Sequence, residues 1–167
     1  GALVIGATVV NFSPLYTAHE LEDQVEDSGT DTLFTVSAAA LLPTALKVLD
    51  GSSLRRLVVG SVAGGLACHK ALLYRLFRHA EIAPIPDDSR VIRFSTLIDN
   101  DGRPEAITID PEKDVALIQY TGGTTGTPKG AKLTHQNLTA NARQVNAIDP
   151  DHDADDRILG VLPFFHV

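Results

Sequence analysis

The chain has 167 residues, 44% of them hydrophobic, which suits one folded domain with a real core. A formal net charge of −7 argues against a nucleic-acid binder. Cys68 is the only cysteine, so an intramolecular disulfide is excluded, in keeping with a reducing cytosol.

No signal peptide is legible, and no apolar run is long enough to span a bilayer. The chain opens on Gly1-Ala-Leu and stops at Pro163-Phe-Phe-His-Val167, so both ends read as cuts through structure. The expectation is a fragment of a larger protein.

Ala7-Thr-Val-Val-Asn11 is a β-branched run and predicts a strand that Pro14 ends. Thr17-Ala-His-Glu20 has capping-box spacing, with the Thr17 hydroxyl and the Glu20 carboxylate each placed to accept from the other's N–H. Ala18, Leu21 and Val25 then follow at helical spacing, and Gly29 is placed to stop the helix. Thr32-Leu-Phe-Thr-Val36 is the next strand. Ser37 is expected to cap a helix through Leu49 whose inward face is Leu42, Leu46 and Leu49, and Leu57-Val-Val59 is a third strand. Strands alternating with helices of this length predict an α/β fold: a mainly parallel sheet with helices on both faces.

Residues 60–90 are the least regular. Leu66, Leu72, Leu73, Leu76 and Phe77 interleave with Lys70, Arg75 and Arg78, a local basic, amphipathic patch on an acidic chain. Two readings stand. The favoured one is a helix that packs Leu and Phe inward and solvates its arginines. The other, over 66–79, is peripheral contact with an anionic membrane surface. Pro84 and Pro86 end the helix in either case. Val91-Ile-Arg-Phe94 is a short strand candidate, and Asn100-Asp-Gly102 is a turn.

Asp110-Pro-Glu-Lys-Asp114 is a polar lead-in to the strand-like Asp114-Val-Ala-Leu-Ile-Gln119. Next comes Tyr120-Thr-Gly-Gly-Thr-Thr-Gly-Thr-Pro-Lys-Gly130, which holds four of the chain's 13 glycines. Glycines let a backbone turn and approach a ligand, and successive N–H groups in such a turn form a nest for an anion. Threonine hydroxyls add donors, and Lys129 adds a compact positive charge. The bland reading is a flexible Gly/Thr surface loop. A strand before it and a short strand, Ala131-Lys-Leu133, after it would instead hold the loop at both ends and aim its donors at a polyphosphate. It is not a Walker A loop, because Lys129 follows Pro128 and precedes Gly130.

Thr134 is placed to cap a helix to Ala147, with Leu138, Ala142 and Val145 on one face. Its positive end would add to the anion field if it pointed at the loop. Asp149, Asp151, Asp153, Asp155 and Asp156 cluster beyond it, but a calcium loop counted from Asp151 would put Asp156 and Leu162 where glycine and glutamate are needed, so this reads as a solvated acidic loop with no metal. Arg157-Ile-Leu-Gly-Val-Leu162 predicts a last strand ending in Pro163-Phe-Phe-His166. His166 is either a packed strand-end histidine or a wall of a substrate pocket, since ligands collect at strand C-termini in open α/β sheets.

The 120–130 stretch resembles the phosphate-loop signature of the adenylate-forming enzymes: acyl-CoA synthetases, luciferases and peptide-synthetase adenylation domains. A second block, Asn11, Ser13, Pro14, Leu15, Tyr16, Glu20 and Leu21 followed by Asp27-Ser-Gly29, looks like the bacterial long-chain fatty-acid–CoA ligases. The resemblance implies that residues 1–167 are a single fragment of the AMP-binding N-terminal domain, without the C-terminal domain. Such enzymes join a carboxylic acid to ATP, giving acyl-AMP and pyrophosphate, and the thiol of coenzyme A then displaces AMP. The implied nucleotide-binding residues are Thr121, Gly122, Gly123, Thr124, Thr125, Gly126, Thr127, Lys129 and Gly130, with His166 at the substrate pocket. The implied cofactors are ATP, Mg²⁺ and coenzyme A, and the implied partner is a fatty acid.

The family's Tyr-Gly-x-Thr-Glu motif, ribose-binding aspartate and C-terminal lysine have no counterpart in this chain. No catalytic residue is therefore assigned, and the fragment alone is expected to be inactive. The resemblance allows a homodimer and a cytoplasmic enzyme, peripheral to the inner face of the membrane if 66–79 binds lipid. An aryl-CoA ligase, an amino-acid adenylation domain and a non-catalytic phosphate-binding module are the competing readings.

Overall fold

The computed structural model describes residues 1–121 and 128–148, together with Asp153, Asp155 and Arg157. The chain divides into two compact units, one of residues 1–13 with 104–167 and one of residues 14–103.

The unit of residues 14–103 is built as the strand–helix alternation predicts. Helix α1 (Ala18–Ser28) begins on a complete capping box: the Thr17 Oγ1 accepts from the Glu20 N–H, and the Glu20 carboxylate accepts from the Thr17 N–H at 2.8 Å. Two orphan donors at the helix start are satisfied reciprocally. Gly29 ends α1 in the left-handed region at φ 65°, where a side chain would be strained. Strands β2 (Thr32–Val36), β3 (Arg56–Gly60) and β4 (Val91–Arg93) form a three-stranded, all-parallel sheet in that order. Helix α2 (Leu42–Gly51) makes the β2–β3 crossover, and α1 packs on α2.

The core of this unit is Leu21 and Val25 of α1, Leu42, Ala45, Val48 and Leu49 of α2, then Leu54, Leu57, Val58, Val59 and Ala63. Burying each large aliphatic side chain contributes about 1.5–3 kcal/mol before entropy is counted. β3 is buried across Leu57, Val58 and Val59 in succession, as expected of a central strand covered on both faces.

Two expectations are corrected here. Ser37 does not cap a helix. α2 starts at Leu42, because Pro43 is tolerated only in a first turn, and a helix begun at Ser37 would place it in the interior. Ser37 is instead a buried fastener: its N–H donates to the Gly60 carbonyl at 2.8 Å, and its carbonyl accepts from the Ala83 N–H at 3.0 Å. The inward face of α2 is correspondingly Leu42, Ala45, Val48 and Leu49, with Leu46 only half-buried.

The second correction concerns 66–79. Helix α3 (Cys68–Phe77) forms, but its leucines and Phe77 do not pack inward. Its half-buried positions are Ala71 and Tyr74, and it packs on the short 3₁₀ turns Ala63–Gly65 and His79–Glu81. A one-turn helix, α4 (Phe94–Leu97), follows β4. Asn100–Gly102 is a turn as expected: the Gly102 N–H donates to Asn100 Oδ1, with Gly102 at φ 67°.

In the other unit, β1 (Val9–Asn11) pairs in parallel with β5 (Val115–Thr121), and β5 pairs antiparallel with β6 (Lys129–Thr134). β1 and β2 therefore belong to different sheets. Helix α5 (His135–Ile148) follows β6 directly. Thr134 caps it: its Oγ1 accepts from the Asn137 N–H, while Asn137 Oδ1 accepts from the Thr134 N–H at 2.9 Å. Of the acidic cluster, Asp153 and Asp155 are described; both are exposed, and the Asp155 N–H donates to Asp153 Oδ1.

Candidate functional site

The site is built on β5 and β6. β5 is apolar and β-branched at its start and becomes polar at Gln119 and Thr121. β6 pairs with it from Thr134 opposite Val115 to Lys129 opposite Thr121, with a register shift between Val115 and Leu117. Thr121 and Lys129 are thus the last pair of the hairpin. Thr121 Oγ1 donates to the Lys129 carbonyl at 3.4 Å, which ties the two ends together. Both side chains are exposed, and the Lys129 ammonium makes no ion pair among the described residues. A lysine at the mouth of a hairpin, with no acidic partner among the described residues, offers a compact positive charge to an incoming anion.

Gly130 sits opposite Tyr120, one step inside that mouth. A Cβ built on Gly130 would lie 2.7 Å from the Ile118 Cγ2 and 3.3 Å from the Tyr120 ring. The missing side chain is what lets Tyr120 lie buried against β6. Glycine is used at this position for close approach, with no positive φ involved.

β1 braces the same end of β5. Its register places Val9, Val10 and Asn11 opposite Leu117, Ile118 and Gln119. Asn11 Nδ2 donates to the Oε1 of the buried Gln119 at 2.9 Å. The two strands are parallel, so the C-terminal ends of both point toward the segment that follows Thr121. That is where ligands collect on α/β sheets. Asn11 was legible as part of a family-like block; its bond to Gln119 needed the register of two strands more than 100 residues apart.

The start of α5 lies at the opposite end. The His135 N–H donates to the Asp114 carbonyl and the Gln136 N–H to the Pro111 carbonyl at 2.7 Å, both in the lead-in to β5. Six strand steps separate Val115 from Thr121, roughly 20 Å at about 3.3 Å per residue. A helix terminus acts over about its own first turn. The positive end of α5 therefore adds nothing to the anion field at Thr121 and Lys129.

Of the residues expected to bind nucleotide, Thr121, Lys129 and Gly130 are placed and brought together. Gly122, Gly123, Thr124, Thr125, Gly126 and Thr127 lie outside the described residues, as do His166 and, beyond Arg157, the strand expected over 157–162. Among the described residues no group of three or more His, Cys, Asp or Glu side chains stands together for a metal ion.

Comparison with known proteins is consistent across sequence and fold. The family model of the AMP-binding enzymes matches residues 1–167. The chain is 38% identical over 171 residues to a long-chain-fatty-acid–CoA ligase of Bacillus subtilis, covering all of this chain and 30% of that protein. It is 36% identical over 176 residues to the long-chain-fatty-acid–CoA ligase of Escherichia coli O157:H7, with the same coverage. In fold it is similar to a red-emitting luciferase from Phrixothrix hirtus, with a TM-score of 0.60 at 22% identity over 93% of this chain and 26% of that one. The chain thus spans about 30% of the length of the curated relatives it matches.

Proposed function

The chain belongs to the AMP-binding enzyme family, and from that premise we propose that it is the phosphate-gripping part of a long-chain fatty-acid–CoA ligase. The reaction activates a fatty carboxylate with ATP to acyl-AMP and pyrophosphate, and coenzyme A then takes the acyl group as a thioester. A free carboxylate resists attack by a thiol; the mixed anhydride does not, because AMP is a good leaving group.

The carrying observation is the Thr121–Lys129 pair closing a β hairpin whose connecting residues are Gly-Gly-Thr-Thr-Gly-Thr-Pro. Negative charge builds on pyrophosphate as it departs. In this reading the amides and hydroxyls of 121–127 meet the β- and γ-phosphates, and Lys129 supplies the positive charge. Their alignment before reaction is what lowers the barrier, since no donor need reorient as charge develops. Mg²⁺, when bound, would offset phosphate charge. The described residues offer no carboxylate set for it, and none is assigned to it. Fatty acid and coenzyme A are the partners this reading implies, with a cytoplasmic setting; it allows a homodimer without requiring one.

The test is ATP–pyrophosphate exchange by the protein expressed from its complete reading frame. Thr124→Ala or Lys129→Ala is expected to lower exchange by about a hundredfold, the usual cost of one well-placed donor to a developing anion. Exchange should depend on long-chain fatty acids. Dependence on an aryl acid or an amino acid would move the protein to another branch of the family. No exchange with any acid would leave a phosphate-binding module.

A further inference from the structure

We propose that Asn11 and Gln119 are a register pair: the bond between their amides selects which residue of β5 is the last to lie against β1, and so positions Thr121 and Lys129 for phosphate. Both are positioning residues for the nucleotide reading given above, on which this role rests. A parallel ladder is built from backbone bonds that any residue supplies, so side chains must choose the register. A slip of one residue would turn the faces of β1 over. A slip of two keeps the faces and is the alternative to be excluded. Val9 and Val10 lie against Leu117 and Ile118, branched aliphatics that pack on many apolar neighbours. The Thr8 hydroxyl donates to the Val115 carbonyl at 2.9 Å, but every residue of β5 offers such a carbonyl. Neither contact discriminates.

Gln119 does. It is buried, and within residues 115–119 it is the only polar side chain. Asn11 is the last residue of β1, and opposite Gln119 the two amides meet at 2.9 Å. Two positions either way, Asn11 would face Leu117 or Thr121, and the Gln119 amide would lose this partner. Losing a bond to a buried amide shifts such an equilibrium by about tenfold or more. The consequence reaches the hairpin. In the observed register the β1 ladder stops at Gln119, two residues short of the Thr121–Lys129 pair. A slip of about 7 Å toward the hairpin would carry β1 up to Thr121 and give that edge to the sheet. The opposite slip would leave residues 118–121 without β1 beside them.

The experiment compares two double variants of the protein expressed from its complete reading frame. Asn11→Leu/Gln119→Leu replaces both amides by apolar groups of similar size, and its urea midpoint should equal or exceed that of the wild type. Its kcat for ATP–pyrophosphate exchange should nevertheless fall at least about tenfold, with KM for ATP little changed, because the phosphate donors are misplaced in the transition state. Asn11→Gln/Gln119→Asn keeps an amide on each strand at the same summed length and should recover most of that loss. Methyl NMR reads the register without any activity. The wild type should show one set of contacts, Val9 with Leu117 and Val10 with Ile118, and the apolar pair should add a second, with Val10 against Ala116 or Tyr120. The proposal is overturned if the apolar pair keeps wild-type exchange, if it keeps a single register, if its exchange falls only as its midpoint falls, or if the swapped amides recover nothing. Absence of exchange in the wild type is a separate result and overturns the nucleotide reading itself.

Discussion

Asn11 and Gln119 lie directly opposite one another on parallel strands, and their side-chain amides are joined at 2.9 Å. The pair sits two residues before the end of β5, where the Gly/Thr-rich segment starts. It fixes the register of β1 against β5, and so fixes the point at which β5 stops being sheet. Asn11→Ala removes the donor to a buried amide oxygen and is expected to cost about 1 kcal/mol, approaching about 3 if that oxygen gains no substitute. Urea denaturation measures the cost. Pyrophosphate exchange should fall as well, because the loop loses its brace.

Gly130→Ala introduces a methyl group 2.7 Å from Ile118 Cγ2. Ile118 is β-branched and cannot swing that methyl away cheaply. The expected loss is about 1–3 kcal/mol of stability. Lys129→Ala, one residue earlier and exposed, should leave the denaturation midpoint unchanged while lowering exchange. Equal stability losses in the two variants would contradict this division between a structural glycine and a functional lysine.

Thr17→Ala removes the hydroxyl that caps α1 and should cost about 1 kcal/mol, while Thr17→Ser should recover most of it. Helicity by circular dichroism during thermal melting reads the difference. The Glu20 carboxyl is held below its ordinary range by its bonds to the Thr17 backbone N–H and hydroxyl. It should titrate closer to the ordinary value in Thr17→Ala, measurable by carbon-detected NMR.

Arg90 joins three places: it donates to Asp88, to Asp50 at 2.7 Å and to the Leu49 carbonyl at 3.2 Å. Asp88 is held below the usual carboxylate range, first by the Arg90 side chain and then by the Arg90 N–H. A lowered folded-state pKa means the contribution is complete above the unfolded value of about 3.9. It fades as the pH falls from there through the folded value. The acid limb of stability should therefore flatten in Asp88→Asn, with no change in slope between pH 6 and 8. An acid limb as steep in that variant as in the parent would sink the assignment.

Much of the fold could be read one residue at a time. The Thr17–Glu20 box, the Gly29 stop and the Thr134 cap rest on contacts within a few positions, and the strands at 32–36 and 57–59 show in local β-branched runs although their pairing is long-range. Local sequence decides such contacts because the partners are tied together by the chain itself. The phosphate-loop signature was legible for the same reason. Ser37 was misread because its hydrogen-bond partners, Gly60 and Ala83, are far along the chain, while the nearby Pro43 set the true helix start. α3 was misread because a stripe of leucines looks the same whether a core waits behind it or not. The sequence by itself determined most of the strand and helix segments among the described residues, and the Thr17 and Thr134 caps. Only the tertiary structure decided that β1 and β2 part into different sheets, that Asn11 meets Gln119, and that the hairpin carries the positive end of α5 away from Lys129. Those outcomes depend on which strands pair and in which direction, and pairing is settled by packing across long stretches of chain that no local pattern encodes.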